Sequence, residues 1–197
     1  MSTPTRTSPD LRINGLVRAR ELAEQGISSG KLQKMVHNGE LVRLSRGLYA
    51  KPERNVREHD ALLQLTVKNP NLVFCLLTAL QIHGLTTQMP HELWVAISPK
   101  ARTPQINIPP LRILRFSEPQ AGVIYMPVDD GLSLPVTSIA KTVADCFKFR
   151  NKVGLDVALE ALREAWHQKL VTMDELWHAA SLCRMTNIMR PYLESLV

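Results

Sequence analysis

The chain has 197 residues, 45% of them hydrophobic and 21% charged, and a formal net charge of +6. That length holds one good core or two small ones, and no run of about 18 apolar residues occurs, which excludes a membrane-spanning helix. The polar start MSTPTRTSPD lacks the apolar centre of a secretory signal and reads as a frayed tail, so the cytoplasm is the expected compartment.

The charge is unevenly placed. Residues 1–54 hold ten Lys/Arg against five acids, whereas the other 143 residues hold fourteen against thirteen. A basic N-terminal quarter on a nearly neutral body is the footprint of a nucleic-acid-binding head, with a merely solvated basic face as the plain alternative. Cys75, Cys146 and Cys183 are odd in number, far apart and each inside an apolar helical pattern. They read as buried free thiols, with neither a disulfide framework nor a zinc knuckle in view.

In chain order, Leu16 and Val17 form a strand or a helix lead-in. Ala19, Leu22 and Ala23 then share one face of a helix of about two turns, with Arg20, Glu21 and Glu24 towards water. Gly26 ends this helix in the left-handed manner and places Ile27 as a plug in the corner. The next helix begins at Ser28 or Ser29, either of which can cap it. Its core stripe is Leu32, Met35 and Val36, which leaves Gly30, Lys34 and His37 on the far side, flanked by Lys31 and Gln33. In a major groove that face offers Lys34 and Gln33 to base edges and Ser29 and Lys31 to phosphates, while Gly30 lets the backbones approach. Asn38-Gly39 stops the helix. Leu41, Val42 and Leu44 then run through Ser45-Arg46-Gly47 into Leu48-Tyr49-Ala50 as a hairpin, a basic wing carrying Arg43 and Arg46.

The pattern A-x-x-L-A-x-x-G-I-S-x-x-x-L-x-x-M-V-x-x-G-x-L-V-R-L-x-R-G-L-Y, from Ala19 to Tyr49, resembles the N-terminal winged-helix domain of the AbiEi-type antitoxins. These are transcriptional regulators of bacterial toxin-antitoxin operons of type IV.

Beyond the head, expected at 1–54, a body is expected at 55–197. Arg57 to Lys68 reads as a joining helix with Ala61, Leu62, Leu65 and Thr66 inward, broken by Asn69-Pro70-Asn71. Leu72 to Leu85 reads as one mostly buried helix, with His83 beside Gly84 as its cap. Strands are expected at Leu93–Ile97, at Leu111–Phe116 with Arg112 and Arg115 on one side, and at Gly122–Pro127, followed by an Asp129-Asp130-Gly131 turn. A helix then starts at Thr137 or Ser138 with Ile139, Thr142, Val143 and Cys146 or Phe147 inward. Another runs from Gly154 on the stripe Ala158, Leu159, Leu162 and Trp166, and two shorter ones close the chain, around Asp174–Cys183 and Thr186–Leu196. P-V-T-S-x-A-K-T-V-A-D-C-F and G-L-D-V-A-L-E-A-L again resemble the body of AbiEi-type regulators, with Lys141 where arginine is expected. The expected fold is α+β: a winged helix-turn-helix, then a mixed α/β domain with a small sheet and a helical C-terminus.

No catalytic set stands out. Metal-dependent nucleases need clustered carboxylates and a lysine, and the nearest match, Ser98-Pro99-Lys100, has only the lysine. A phosphate-binding Gly-rich loop, His-Glu-x-x-His and Gly-x-Ser-x-Gly are all missing from the sequence. His59-Asp60, His91-Glu92 and His167 lie without zinc-like spacing, and no cofactor or metal is expected.

The resemblance implies a repressor and antitoxin that binds double-stranded operator DNA with inverted repeats and counters a nucleotidyltransferase-like toxin, with or without direct contact. The expected DNA-binding residues are Ser29, Lys31, Gln33, Lys34, Arg43 and Arg46. Lys100, Arg102, Arg112 and Arg115 form a second basic set that would extend the footprint or meet an acidic toxin. The alternatives are a DNA-targeted, metal-dependent nuclease and an adaptor whose winged helix binds protein.

Overall fold

In a computed structural model that describes residues 16–45, 47–52, 60–104, 110–128 and 133–196, the chain is an α+β protein with two small sheets and a helical C-terminus. It divides into two compact units, Met1–Val67 with Val128–Leu132, and Lys68–Pro127 with Ser133–Val197.

The first unit carries the winged-helix outline. β1 (Leu16–Arg18), α1 (Ala19–Glu24), α2 (Ser29–His37), β2 (Val42–Ser45) and β3 (Leu48–Ala50) follow one another, and the sheet order is β1-β3-β2. Both neighbours of β3 are antiparallel to it. Two helix ends set the path. Gly26, at φ 80°, closes α1 with Gly26 N–H donating to Ala23 O and Ile27 N–H to Leu22 O. Gly39, at φ 73°, closes α2 through Val36 O and Met35 O in the same way. Each is the paired left-handed termination that a C′ glycine permits. Ile27 is buried with Val17, Leu22, Leu32, Met35 and Leu41, the core beneath the two helices. Ala23, expected inward, is exposed. The helix is too short for both flanks of its apolar stripe to reach that core, and Leu22 alone is fully covered.

α3 (Asp60–Lys68) buries Leu62, Leu63 and Leu65 and leaves Ala61 exposed.

The second unit is built on a five-stranded mixed sheet of order β6-β5-β4-β8-β7, comprising β4 (Val73–Phe74), β5 (Leu93–Ile97), β6 (Leu111–Arg115), β7 (Val123–Pro127) and β8 (Ser133–Thr137). The stretch Leu72 to Leu85 is thus not one helix. Val73 and Phe74 make the central strand, and only then does α4 (Leu76–Ile82) begin, entered through Leu76 at a left-handed φ of 47°. A strand of two residues is too short to show a period of two, so the helical pattern beyond it dominates the sequence. The Asp129-Asp130-Gly131 turn lies outside the described residues.

α5 (Ile139–Lys148), α6 (Arg150–Val153), α7 (Leu155–His167), α8 (Met173–Leu182) and α9 (Thr186–Glu194) complete the unit. α5 packs against α4, α7, α8 and α9 and is buried from Ala140 to Phe147. α7 turns its Val157, Ala158, Ala161, Leu162 and Ala165 stripe inward, leaving Leu159 and Trp166 half-buried at its edge. The three cysteines are buried and free. Cys75 and Cys183 stand at helix ends, however, and only Cys146 is inside a helix.

Candidate nucleic-acid interface

α2 is presented by its two ends and its buried stripe. Ser28 is the N-cap, its Oγ accepting from Lys31 N at 3.3 Å, so the Ser29 hydroxyl is left for another partner. With Leu32 and Met35 buried and Val36 half-buried, Ser29, Gly30, Lys31, Gln33, Lys34 and His37 are all exposed, as the helical spacing predicts. No acid lies on this helix, and among the described residues no carboxylate pairs with Lys31 or Lys34. Gly30 has no internal reason to be glycine: its φ is not left-handed, and a Cβ there would meet nothing within 4 Å.

The wing is the β2–β3 hairpin. Arg43 pairs with Tyr49 across the ladder and is exposed on the edge strand. Between Arg43 and Ser45 the register shifts, a bulge that twists the ribbon and leaves Leu44 37% exposed. Gly47, at φ 76°, closes the turn, and its carbonyl accepts from Ala19 N–H at 2.9 Å. Arg46 lies outside the described residues.

The second basic set does not form one face. Arg112 and Arg115 are three apart on β6, and a period of two puts them on opposite sides of the sheet. Their partners differ accordingly. Arg112 Nε donates to Glu92 at 2.7 Å, and its guanidinium lies 5.3 Å from the Trp94 ring centroid. Arg115 Nη1 donates to the carbonyls of Ser98, Pro99 and Ala101, at 3.3, 2.6 and 3.1 Å. It clamps the loop that carries Lys100 and Arg102, which are themselves exposed. His83 caps α4 as its position beside Gly84 predicts, and its Nε2 donates to Thr137 O at 2.7 Å. Burial pushes its pKa below the ordinary value, against the pull of that bond.

Sequence reasoning missed a buried polar cluster in the second unit. Lys141, only 5% exposed, donates through Nζ to both carboxylate oxygens of Asp145, at 2.6 and 2.5 Å, and lies 5.1 Å from the Phe116 ring centroid. Cys183 Sγ also donates to Asp145, at 3.2 Å. Burial raises the Asp145 pKa, opposed by Lys141. The Cys183 thiol is pushed up to about 12, mainly by burial and then by Asp145, so it is no nucleophile at neutral pH. Gly122, at φ 70°, fits over the Lys141 stem, because a Cβ there would come within 3.0 Å of Cγ. The i, i+4 spacing of Lys141 and Asp145 was the one sequence clue. Its burial is set by Phe116 and Cys183, which are remote in sequence.

Among the described residues, no three His, Cys, Asp or Glu converge to hold a metal, and no helix is long and apolar enough to cross a membrane.

Residues 12–91 match a family model described as the transcriptional regulator, AbiEi antitoxin N-terminal domain. The match contains the whole Ala19–Tyr49 pattern and extends through α4. No curated protein matches the sequence. Among solved structures, the chain is similar to the RV2827C protein from Mycobacterium tuberculosis, at a TM-score of 0.52 and 14% identity. That similarity covers 85% of this chain and 66% of the other, and it speaks for the fold alone.

Proposed function

We propose, from the premise that residues 12–91 are of the AbiEi antitoxin N-terminal type, that the chain is a DNA-binding repressor and antitoxin of a bacterial toxin-antitoxin operon. The head, residues 1–54, binds inverted repeats upstream of its own operon, and the body, residues 55–197, serves the neutralisation of a nucleotidyltransferase-like toxin. The observation that carries this reading is the free face of α2. A serine-capped helix turns Ser29, Gly30, Lys31, Gln33 and Lys34 to solvent, and among the described residues no carboxylate neutralises its lysines. A helix in a groove meets phosphates with its N-terminal amides and its lysines, and base edges with Gln33 and Lys34. Arg43, and Arg46 beyond the described residues, contact the backbone or minor groove from the wing.

The test is gel-shift and fluorescence-anisotropy titration of the full chain on its own upstream region at several salt concentrations. Lys34→Ala costs about 1–3 kcal/mol of binding and relaxes sequence preference. Arg43→Ala and Arg46→Ala each lower the salt slope by about one. Parent-like binding by all three variants overturns the assigned faces. Incubation with plasmid DNA and Mg²⁺ or Mn²⁺ should shift the DNA without cutting it, whereas cleavage would favour the nuclease. Co-expression with the toxin encoded beside the chain should restore growth, and co-purification decides whether rescue needs contact.

A further inference from the structure

We propose that the second unit binds a small oxyanion, a phosphate or carboxylate, in a cleft between the turn after β6, one face of α5 and the turn that joins α8 to α9. The cleft measures about 450 Å³ and brings together Ser117, Lys141, Lys148 and Arg184, with Glu118 as its one lining acid. Its size lies within the range of small-ligand sites, about 300–1,000 Å³.

Lys141 and Lys148 are seven residues apart on α5 and so share a face. Lys141 gives N–H donors to the two oxygens of Asp145, and an ammonium has a third to offer. Lys148 is exposed and stands 6.0 Å from the centroid of Phe149, with no carboxylate bonded to it among the described residues. Phe149 is stacked on Phe116, at 5.2 Å between centroids, and Phe116 supplies an aromatic wall of the cleft.

Arg184 adds the second observation. It is the C′ residue of α8, at φ 59°, where Arg184 N–H donates to Ser181 O and Met185 N–H to Ala180 O. This is the left-handed position that favours glycine, as Gly26 and Gly39 illustrate in the head, although Lys169, at φ 56°, takes the same place after α7. Here the chain holds an arginine whose side chain has no bonded partner among the described residues, so the strained position gains nothing internal from it. An arginine in a cleft beside two lysines suits an oxyanion, since its planar fork matches two oxygens at once. Glu118 works against a bare anion and fits a ligand that carries a hydroxyl or amine beside its oxyanion. None of this depends on whether the head binds DNA.

The test is isothermal titration of the full chain with pyrophosphate and, separately, citrate at fixed ionic strength. Saturable one-site binding is expected from at least one, and which one binds assigns the ligand to phosphates or carboxylates. Arg184→Gly removes the guanidinium and relieves the left-handed backbone, so Tm should be no lower while affinity falls about tenfold or more. Lys148→Gln should weaken binding similarly, and a Lys34→Gln/Arg43→Gln double variant should bind like the parent. The proposal is overturned by absence of saturable binding, by parent-like affinity in Arg184→Gly, or by loss of binding in the double variant, which would place the anion on the head.

Discussion

Helices α2 and α5 begin alike, each entered through a serine whose Oγ accepts at 3.3 Å from the amide of a lysine three residues on. From that point they diverge. Lys31 is exposed, and the residue four further on is Met35, which goes into the core. Lys141 is buried, and the residue four further on is Asp145, which binds it. One helix packs by a single stripe, the other is enclosed by its neighbouring helices. The same local start therefore leads to a cation with no internal partner among the described residues in one case and one whose first partner is an internal carboxylate in the other. What surrounds the helix decides between them, and the capping residues do not.

The contrast breaks or sharpens under substitution. Asp145→Ala strands a buried ammonium and should cost about 3–5 kcal/mol in urea denaturation. Replacing both partners, as Lys141→Met with Asp145→Leu, should cost less than that single change. A single-variant loss below about 1 kcal/mol would put the pair among surface ion pairs and erase the difference. Lys31→Ala should leave stability within about 0.5 kcal/mol while reducing the salt slope of operator binding by about one. Gly30→Ala should stabilise the chain by up to about 1 kcal/mol and still weaken DNA binding. Binding that improves along with stability would deny Gly30 its role in close approach.

The smallest expected effect is on pH dependence. Burial lowers the pKa of His83, with the Thr137 carbonyl opposing, so the unfolded chain takes up the proton more readily than the folded one. The stability held by neutral His83 is full above about pH 6.5 and is lost as pH falls below that value. Between about pH 7 and pH 5, Tm should fall more steeply for the parent than for His83→Gln, whose amide can still donate to Thr137 O. Equal slopes would remove His83 from the acid response.

What was legible in the sequence was local. Gly26, Asn38-Gly39 and the serine caps mark their turns because each needs a particular residue at a particular backbone angle, whatever surrounds it. The exposed face of α2 followed from its apolar stripe alone. Features set at a distance did not show. The two-residue β4 disappeared into the apolar run of α4. The odd spacing of Arg112 and Arg115 already denies them one face of a strand, but their partners, Glu92 and the loop 98–103, are loops away in the chain and did not show. In the sequence Lys141 is notable only for standing where arginine is expected, and its burial comes from Phe116 and Cys183, remote in the chain.

The bond from Ala19 N–H to Gly47 O has a mechanical consequence. It satisfies the first free amide of α1 with the carbonyl at the wing's turn, so the wing cannot swing outward without unmaking that helix start. In the proposed complex, helix and wing meet a duplex as a claw of preset span, with little protein ordering left to pay for on contact. A site whose grooves do not match that span must bend or twist to fit, so its stiffness becomes part of what is read.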